Sequence, residues 1–121
     1  IGKMIKGKVE IFLGIKKDPS IGTLVAFGTG GIYSEIGKDF SYRVSPLSKS
    51  TALEMIKETK MGKILAGASG QFKHDLDRLS EIIVNVARFA EQYKNIKEID
   101  LNPIIAANPH FYIVDARIIE E

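Results

Sequence analysis

The stretch Glu98–Ile118, EIDLNPIIAANPHFYIVDARI, has the grammar of two β-strands around a tight turn, with Asn108-Pro109 as the turn signal. Asp100, Asn102 and Asp115 interrupt runs that would otherwise be comfortable core. If the loop has an even number of residues, partners are residues whose numbers sum to an odd value, and Asn102 falls opposite Asp115. Side chains alternate along a strand, so Asp100 and Glu98 then share the face of Asn102, and Arg117 shares that of Asp115. Ile99, Leu101, Val114 and Ala116 take the other face. A loop one residue longer or shorter sends the two polar sets to opposite faces.

In the even register one sheet face gathers up to three carboxylates and an amide oxygen. Close carboxylates repel and raise each other's pKa unless a cation lies between them. A hard divalent ion meets that need, since Mg²⁺ takes one or two protein oxygens together with phosphate oxygens and water. A solvated sheet face on which Arg117 balances Asp115 meets it as well.

Upstream, Val9, Ile11, Leu13 and Ile15 alternate with Lys8, Glu10, Phe12 and Gly14, a strand with one apolar face. Lys17-Asp18-Pro19-Ser20 is a turn in which Asp18 can accept bonds from later backbone amides. Thr23 to Phe27 is a second strand, running into Gly28-Thr29-Gly30-Gly31. Ile32–Ile36 and Phe40–Val44 read as further strand. Three glycines in four residues let backbone amides approach an anion closely, or simply make a tight turn or bulge. Arg43 supplies a fork for a phosphate or carboxylate, or a partner for Glu35 or Asp39.

Helices follow. A hydroxyl at Ser48–Ser50 suits an N-cap for a helix through Thr51, Leu53 and Ile56, and Met61–Leu65 is a second short piece. Leu76, Leu79, Ile82, Ile83, Val86, Phe89, Ala90 and Tyr93 recur at helical spacing, the strongest helix signal in the chain. Asp75 and Asp77 at its start suit the helix dipole. The helical Met and Phe residues read as core, and neither His74 nor His110 has partners at ligand spacing.

Strands, then helices, then strands, without alternating βα units, predict an α+β domain: a mostly antiparallel sheet with helices packed on one face. At 121 residues the chain makes one domain, 1–121. Its 45% hydrophobic and 26% charged residues are those of a folding chain. Seventeen basic against fifteen acidic side chains leave +2, which gives no footprint for nucleic acid or a membrane surface. The absence of cysteine excludes disulfides and thiolate metal sites and favours a cytoplasmic setting. No apolar run approaches the ~20 residues of a membrane span. The start at Ile1, without methionine and close to a strand, reads as a piece of something longer.

MIKGKVEIFLGIKKDPSIGTLVAFGTGGIYSEIGKDFSYRVSPL, then EIDLNPI, then IVDARI, resemble in order the C-terminal part of the ATP-grasp domain of ADP-forming acyl-CoA (acetyl-CoA) synthetases, relatives of the succinyl-CoA synthetase β subunit. The resemblance implies an enzyme that interconverts acyl-CoA, ADP and phosphate with the free acid, ATP and CoA through an acyl phosphate and a phosphohistidine. It implies Asn102 and Asp115 as ligands of Mg²⁺ on the nucleotide phosphates, and Asp100 as the catalytic residue facing the phosphohistidine. Glu10, Gly30, Gly31 and Arg43 match the phosphate-facing part of the pattern. The implied partners are a missing N-terminal ATP-grasp subdomain and a CoA-binding α subunit or domain, in an oligomer. This chain would then be a half-site that does not turn over alone. The sequence departs from the pattern in GASG, where Ser69 replaces an arginine of GxRG. The departure leaves room for another class, a nucleotide-sensing or interaction domain of an acetyltransferase fusion.

Overall fold

The structure is a computed structural model and describes residues 8–30, 39–67, 73–107 and 110–121. The expected strand Ile32–Ile36, Gly31, Ser69 and the Asn108-Pro109 turn lie outside the described residues. In chain order the elements are β1 (Lys8–Asp18), β2 (Gly22–Thr29), β3 (Phe40–Val44), α1 (Lys49–Lys57), α2 (Lys60–Leu65), α3 (Leu76–Gln92), β4 (Ile96–Ala107), β5 (His110–Ile113) and β6 (Ala116–Glu120). The strands form one sheet in the order β3-β2-β1-β4-β5, with β6 also paired to β4, and every one of these pairings is antiparallel. This is the expected α+β architecture, with the closing strand divided in two at Val114–Asp115.

Local side-chain bonds start and stop these elements where their residue types predict. Asp18 accepts from the amides of Ser20 and Ile21 at 2.7 and 3.0 Å and closes the β1–β2 turn. Ser48 caps α1 by accepting from the Thr51 amide, Thr59 caps α2 through the Gly62 amide, and Asp75 caps α3 through the Arg78 amide.

The helices cover one face of the sheet. Val9, Ile11, Leu13 and Ile15 of β1 are all buried there, as expected, alongside Val25 and Phe27 of β2 and Ile99, Leu101 and Ile104 of β4. Met55, Ile56, Leu65, Leu79, Ile83, Ala87 and Ala90 face them from the helices. The apolar stripe of α3 is wider than the surface it covers. Phe89 and Tyr93, expected in the core, are 41% and 49% exposed and stack on each other at 4.8 Å, because Ile113 and Ile118 of the neighbouring strands lie beside α3 without a further layer above them.

The register of β4 sets the site. Ile104 pairs with Ile11 and Leu101 with Leu13, so β4 takes three steps where β1 takes two. The extra residue is a bulge at Asn102-Pro103, a position that tolerates proline's missing donor. It reverses the side-chain alternation, so that Ile99 and Leu101 before it and Ile104 and Ala106 after it all reach the core. On its other edge β4 pairs across this point without a slip, Ile104 with Ile113 and Leu101 with Ala116; its one shift there lies further back, between Ile96 and Glu98. The interruption at Val114–Asp115 therefore tracks the bulge. It turns Val114, expected on the apolar face, 62% exposed.

Gly30 ends β2 by donating its N–H to the Glu10 carbonyl at 3.0 Å. A Cβ there would lie 2.7 Å from the Ile11 carbonyl carbon and oxygen, so only glycine permits this approach. We expect Gly30→Ala to cost about 1–3 kcal/mol in urea denaturation, through displacement of β1 or β2. His74 is buried, donates its backbone N–H to Leu65, and packs its ring near Phe111. Burial lowers its imidazole pKa from 6.5. The unfolded chain then binds the extra proton first, so this contribution to stability is present above about pH 6.5 and is lost as pH falls toward the folded-state pKa. Melting between pH 7 and about 5.5 is expected to show this loss, with the slope reduced in His74→Gln.

Candidate phosphate and metal site

The sheet face opposite the helices carries the polar residues. Gly14, Asp100 and Arg117 are successive partners across β1, β4 and β6, and antiparallel partners project to the same side. The even-loop register holds: from Glu98 to Ala107 the β4–β5 and β4–β6 pairs share one offset, and the Asn102 N–H donates to the Asp115 carbonyl at 3.2 Å. Asn102 therefore lies opposite Asp115, one step along from Asp100. Glu10, the partner of Ile105, is on this open face as well and is exposed.

Asp100 is the electrostatic centre of the row. Its Oδ1 is buried without a hydrogen-bond partner among the described residues. Burial raises its carboxyl pKa above the usual range, Arg117 pulls it back down, and Glu98 and Asp115 push it further up. An orphaned carboxylate oxygen beside two more carboxylates is a place where a cation lowers the energy. Among the described residues, however, no three His, Cys, Asp or Glu side chains gather closely enough to hold a metal by themselves. The expected three-carboxylate cluster is thus a row along the strands rather than a cage. What the fold offers is an amide and a carboxylate facing each other across two strands, an all-oxygen donor set. That fits Mg²⁺, which completes its shell with phosphate oxygens and water.

The other sequence-predicted residues divide. Gly30 lies beside Glu10 through its amide, while Gly31 is outside the described residues. Arg43 is not brought to this face. It pairs with Val25, which places it on the helix side. Both guanidinium nitrogens there bond Glu58, one of them also donating to the Tyr42 carbonyl at 2.8 Å. The pairing raises the Arg43 pKa and lowers that of Glu58. Asp39 is engaged instead by the Lys60 and Met61 amides, both at 2.9 Å. A neighbour absent from the sequence reading is Phe12, which faces the bulge from β1. A Cβ on Gly14 would lie 2.7 Å from its ring, and the ring meets Phe40 edge-on at 5.6 Å. The signal that could have found it is the glycine two positions along the same strand face.

The ATP-grasp domain family matches residues 1–119. The β subunit of acetate–CoA ligase (ADP-forming) I from Pyrococcus furiosus is 48% identical over 110 residues, 91% of this chain and 47% of that protein. Acetate–CoA ligase (ADP-forming) I from Archaeoglobus fulgidus is 34% identical over 98% of this chain and 17% of its own length. Among solved structures, dinucleotide-forming acetyl-coenzyme A synthetase 1 of Ca. Korarchaeum cryptofilum superposes with a TM-score of 0.88 at 40% identity, covering 93% of this chain and 53% of that one. That protein was solved with coenzyme A and Mg-AMPPCP, its phosphohistidine segment pointing towards the nucleotide binding site. The chain thus spans about half the length of the Pyrococcus β subunit, or less of the longer relative. Among the described residues no helix is long and apolar enough to cross a membrane. The chain belongs to the ATP-grasp domain family and is homologous, over part of their length, to the ADP-forming acetate–CoA ligases.

Proposed function

We propose that this chain is the C-terminal half of an ATP-grasp site in an ADP-forming acyl-CoA synthetase, holding Mg²⁺ and the nucleotide phosphates while a phosphoryl group passes between ADP and a phosphohistidine. The observation that carries the reading is the register that sets Asn102 opposite Asp115 beside the orphaned oxygen of Asp100, on the face left open by the helices. The solved relative with Mg-AMPPCP and a phosphohistidine segment supports it.

In this reading the Asn102 amide oxygen and the Asp115 carboxylate hold the metal. When bound, Mg²⁺ supplies charge neutralisation and orientation for the phosphates, the main demands of phosphoryl transfer. Glu10 and the Gly30 backbone border the nucleotide. Asp100 presents an oxygen acceptor to the incoming imidazole and fixes its orientation. Its partial burial keeps water from competing for that contact. The remaining half of the ATP-grasp domain and a CoA-binding subunit complete the enzyme. Arg43, engaged by Glu58 on the far face, has no part in it.

The test is reconstitution with those two partners. Asn102→Ala and Asp115→Ala are each expected to reduce acyl-CoA-dependent ATP formation by about 10²-fold or more while leaving the chain folded. Unchanged ATP formation in both variants removes the assignment. Metal-dependent ADP binding in the wild-type assembly, with no phosphoryl transfer to any histidine, selects a nucleotide-sensing domain instead.

A further inference from the structure

β6 closes the sheet, and its outer edge has no strand beside it among the described residues. Two bonds to β4 fix the backbone polarity of that edge: the Asp115 carbonyl accepts from the Asn102 N–H, and the Glu121 N–H donates to the Asn95 carbonyl. Alternate residues of an antiparallel strand turn their backbone groups to the same side. Arg117 and Ile119 therefore bond toward β4, while Ala116, Ile118 and Glu120 present N–H and C=O outward. Edge strands are ordinarily guarded by lysine, proline, a bulge or a covering loop. Ala116–Glu120 has neither lysine nor proline. Ile118 and Ile119 are 49% and 36% exposed, one on each face of the sheet. On the helix side the apolar surface continues inward, where exposed Phe89, Ile113 and Ile118 border a groove floored by Ile99 and Leu101.

We infer that this edge is the contact for a second copy of the chain, with β6 pairing antiparallel to the second copy's β6 about a twofold axis perpendicular to the sheet. Such an axis keeps the open faces of both copies on one side, so residues that meet share a face and the central residue lies opposite itself. Charge selects the register. Centred on Ile119, the pairing sets Arg117 opposite Glu121 twice and brings the outward backbone groups of Ile118 against those of Glu120. Centred on Ile118, it sets Asp115 opposite Glu121. Centred on Arg117 or on Glu120, it sets a charge opposite its own copy. Only the first joins opposite charges, so the strand is complementary to itself in that register. The grooves of both copies then open onto the seam from the helix side, where Phe89 and Ile118 meet apolar surface instead of water. This supplies the layer that the apolar stripe of α3 lacks. The two candidate sites come to lie on one face of a continuous sheet, and the contact itself does not depend on what those sites bind.

The chain has no cysteine, so a single substitution reports the contact. The experiment uses the assembled enzyme, this chain with the remaining ATP-grasp half and the CoA-binding subunit, carrying Ile119→Cys or Ile118→Cys. After a mild oxidant, disulfide-linked pairs of this chain are scored on non-reducing gels and identified by mass. Residue 119 faces its own copy at a Cα separation of about 4.5 Å, within disulfide range, whereas residue 118 is offset from its copy by about 8 Å, beyond that range. Ile119→Cys is expected to link most of the chain, and Ile118→Cys about tenfold less. Adding Glu121→Arg to Ile119→Cys is expected to raise the protein concentration needed for half-maximal linking by about tenfold, and adding Arg117→Glu as well to restore it. Absence of linked pairs in Ile119→Cys would show that another part of the enzyme covers this edge and would overturn the inference. So would equal linking from the two cysteines, which denies the register. Linking that Glu121→Arg leaves undiminished would reduce the contact to chance collision and overturn it as well.

Discussion

β4 is hydrogen-bonded along both edges, to β1 on one side and to β5 and β6 on the other, and its extra residue at Asn102-Pro103 is absorbed by only one of them. Against β1 it is a bulge. Against the closing strands it is matched by an interruption at Val114–Asp115, so that pairing continues in register on either side. That single accommodation keeps Ile99, Leu101, Ile104 and Ala106 in the core although their spacing breaks strict alternation. It also sets two irregular backbone segments against each other, tied by bonds from Asn102 to Asp115 and from Val114 to Pro103. Irregular strand backbone re-aims side chains, and these two segments carry the amide and the carboxylate of the candidate site.

Much of this was legible from the chain because the deciding interactions are local or follow parity. Asp18, Ser48 and Asp75 bond amides two or three residues away, and no distant partner is needed to predict such contacts. The burial of Val9, Ile11, Leu13 and Ile15 follows from alternation. The meeting of Asn102 with Asp115 follows from an even loop. What sequence did not reveal depends on neighbours far along the chain. Val114 was assigned inward by parity, which the interruption matching the bulge on the adjacent strand β4 reverses. Phe89 and Tyr93 fit the helical period, but burial also requires a surface opposite them. Arg43 was one strand position from the open face, and only its pairing with Val25 shows that it points to the helices.

The two faces of the sheet treat charge differently. On the helix side Arg43 and Glu58 close a bidentate pair, and Asp39 is enclosed by the amides that begin α2. On the open side carboxylates stand in a row, and one buried oxygen, Oδ1 of Asp100, is unmatched among the described residues. A face built only for solubility would gain nothing from half-burying Asp100. An unmatched group is what a charged ligand requires, since strong pairing within the protein has to be broken before a phosphate or a metal can replace it.

β1 is the first strand in sequence and lies in the middle of the sheet, where Lys8 pairs with Ala107 almost at the other end of the chain. The loop closed by that pairing contains all three helices, so it forms late and against a large entropy cost. The hairpin from Ile96 to Glu120 needs no such closure. A fluctuation that detaches β1 would leave Asn102 facing Asp115 while carrying Glu10 and the Gly30 amide away together, because those two are bonded to each other. Amide exchange in the two halves of the open face is therefore governed by openings of different size. The proposed divalent-ligand pair and the proposed phosphate border belong to separately cooperative parts of one sheet.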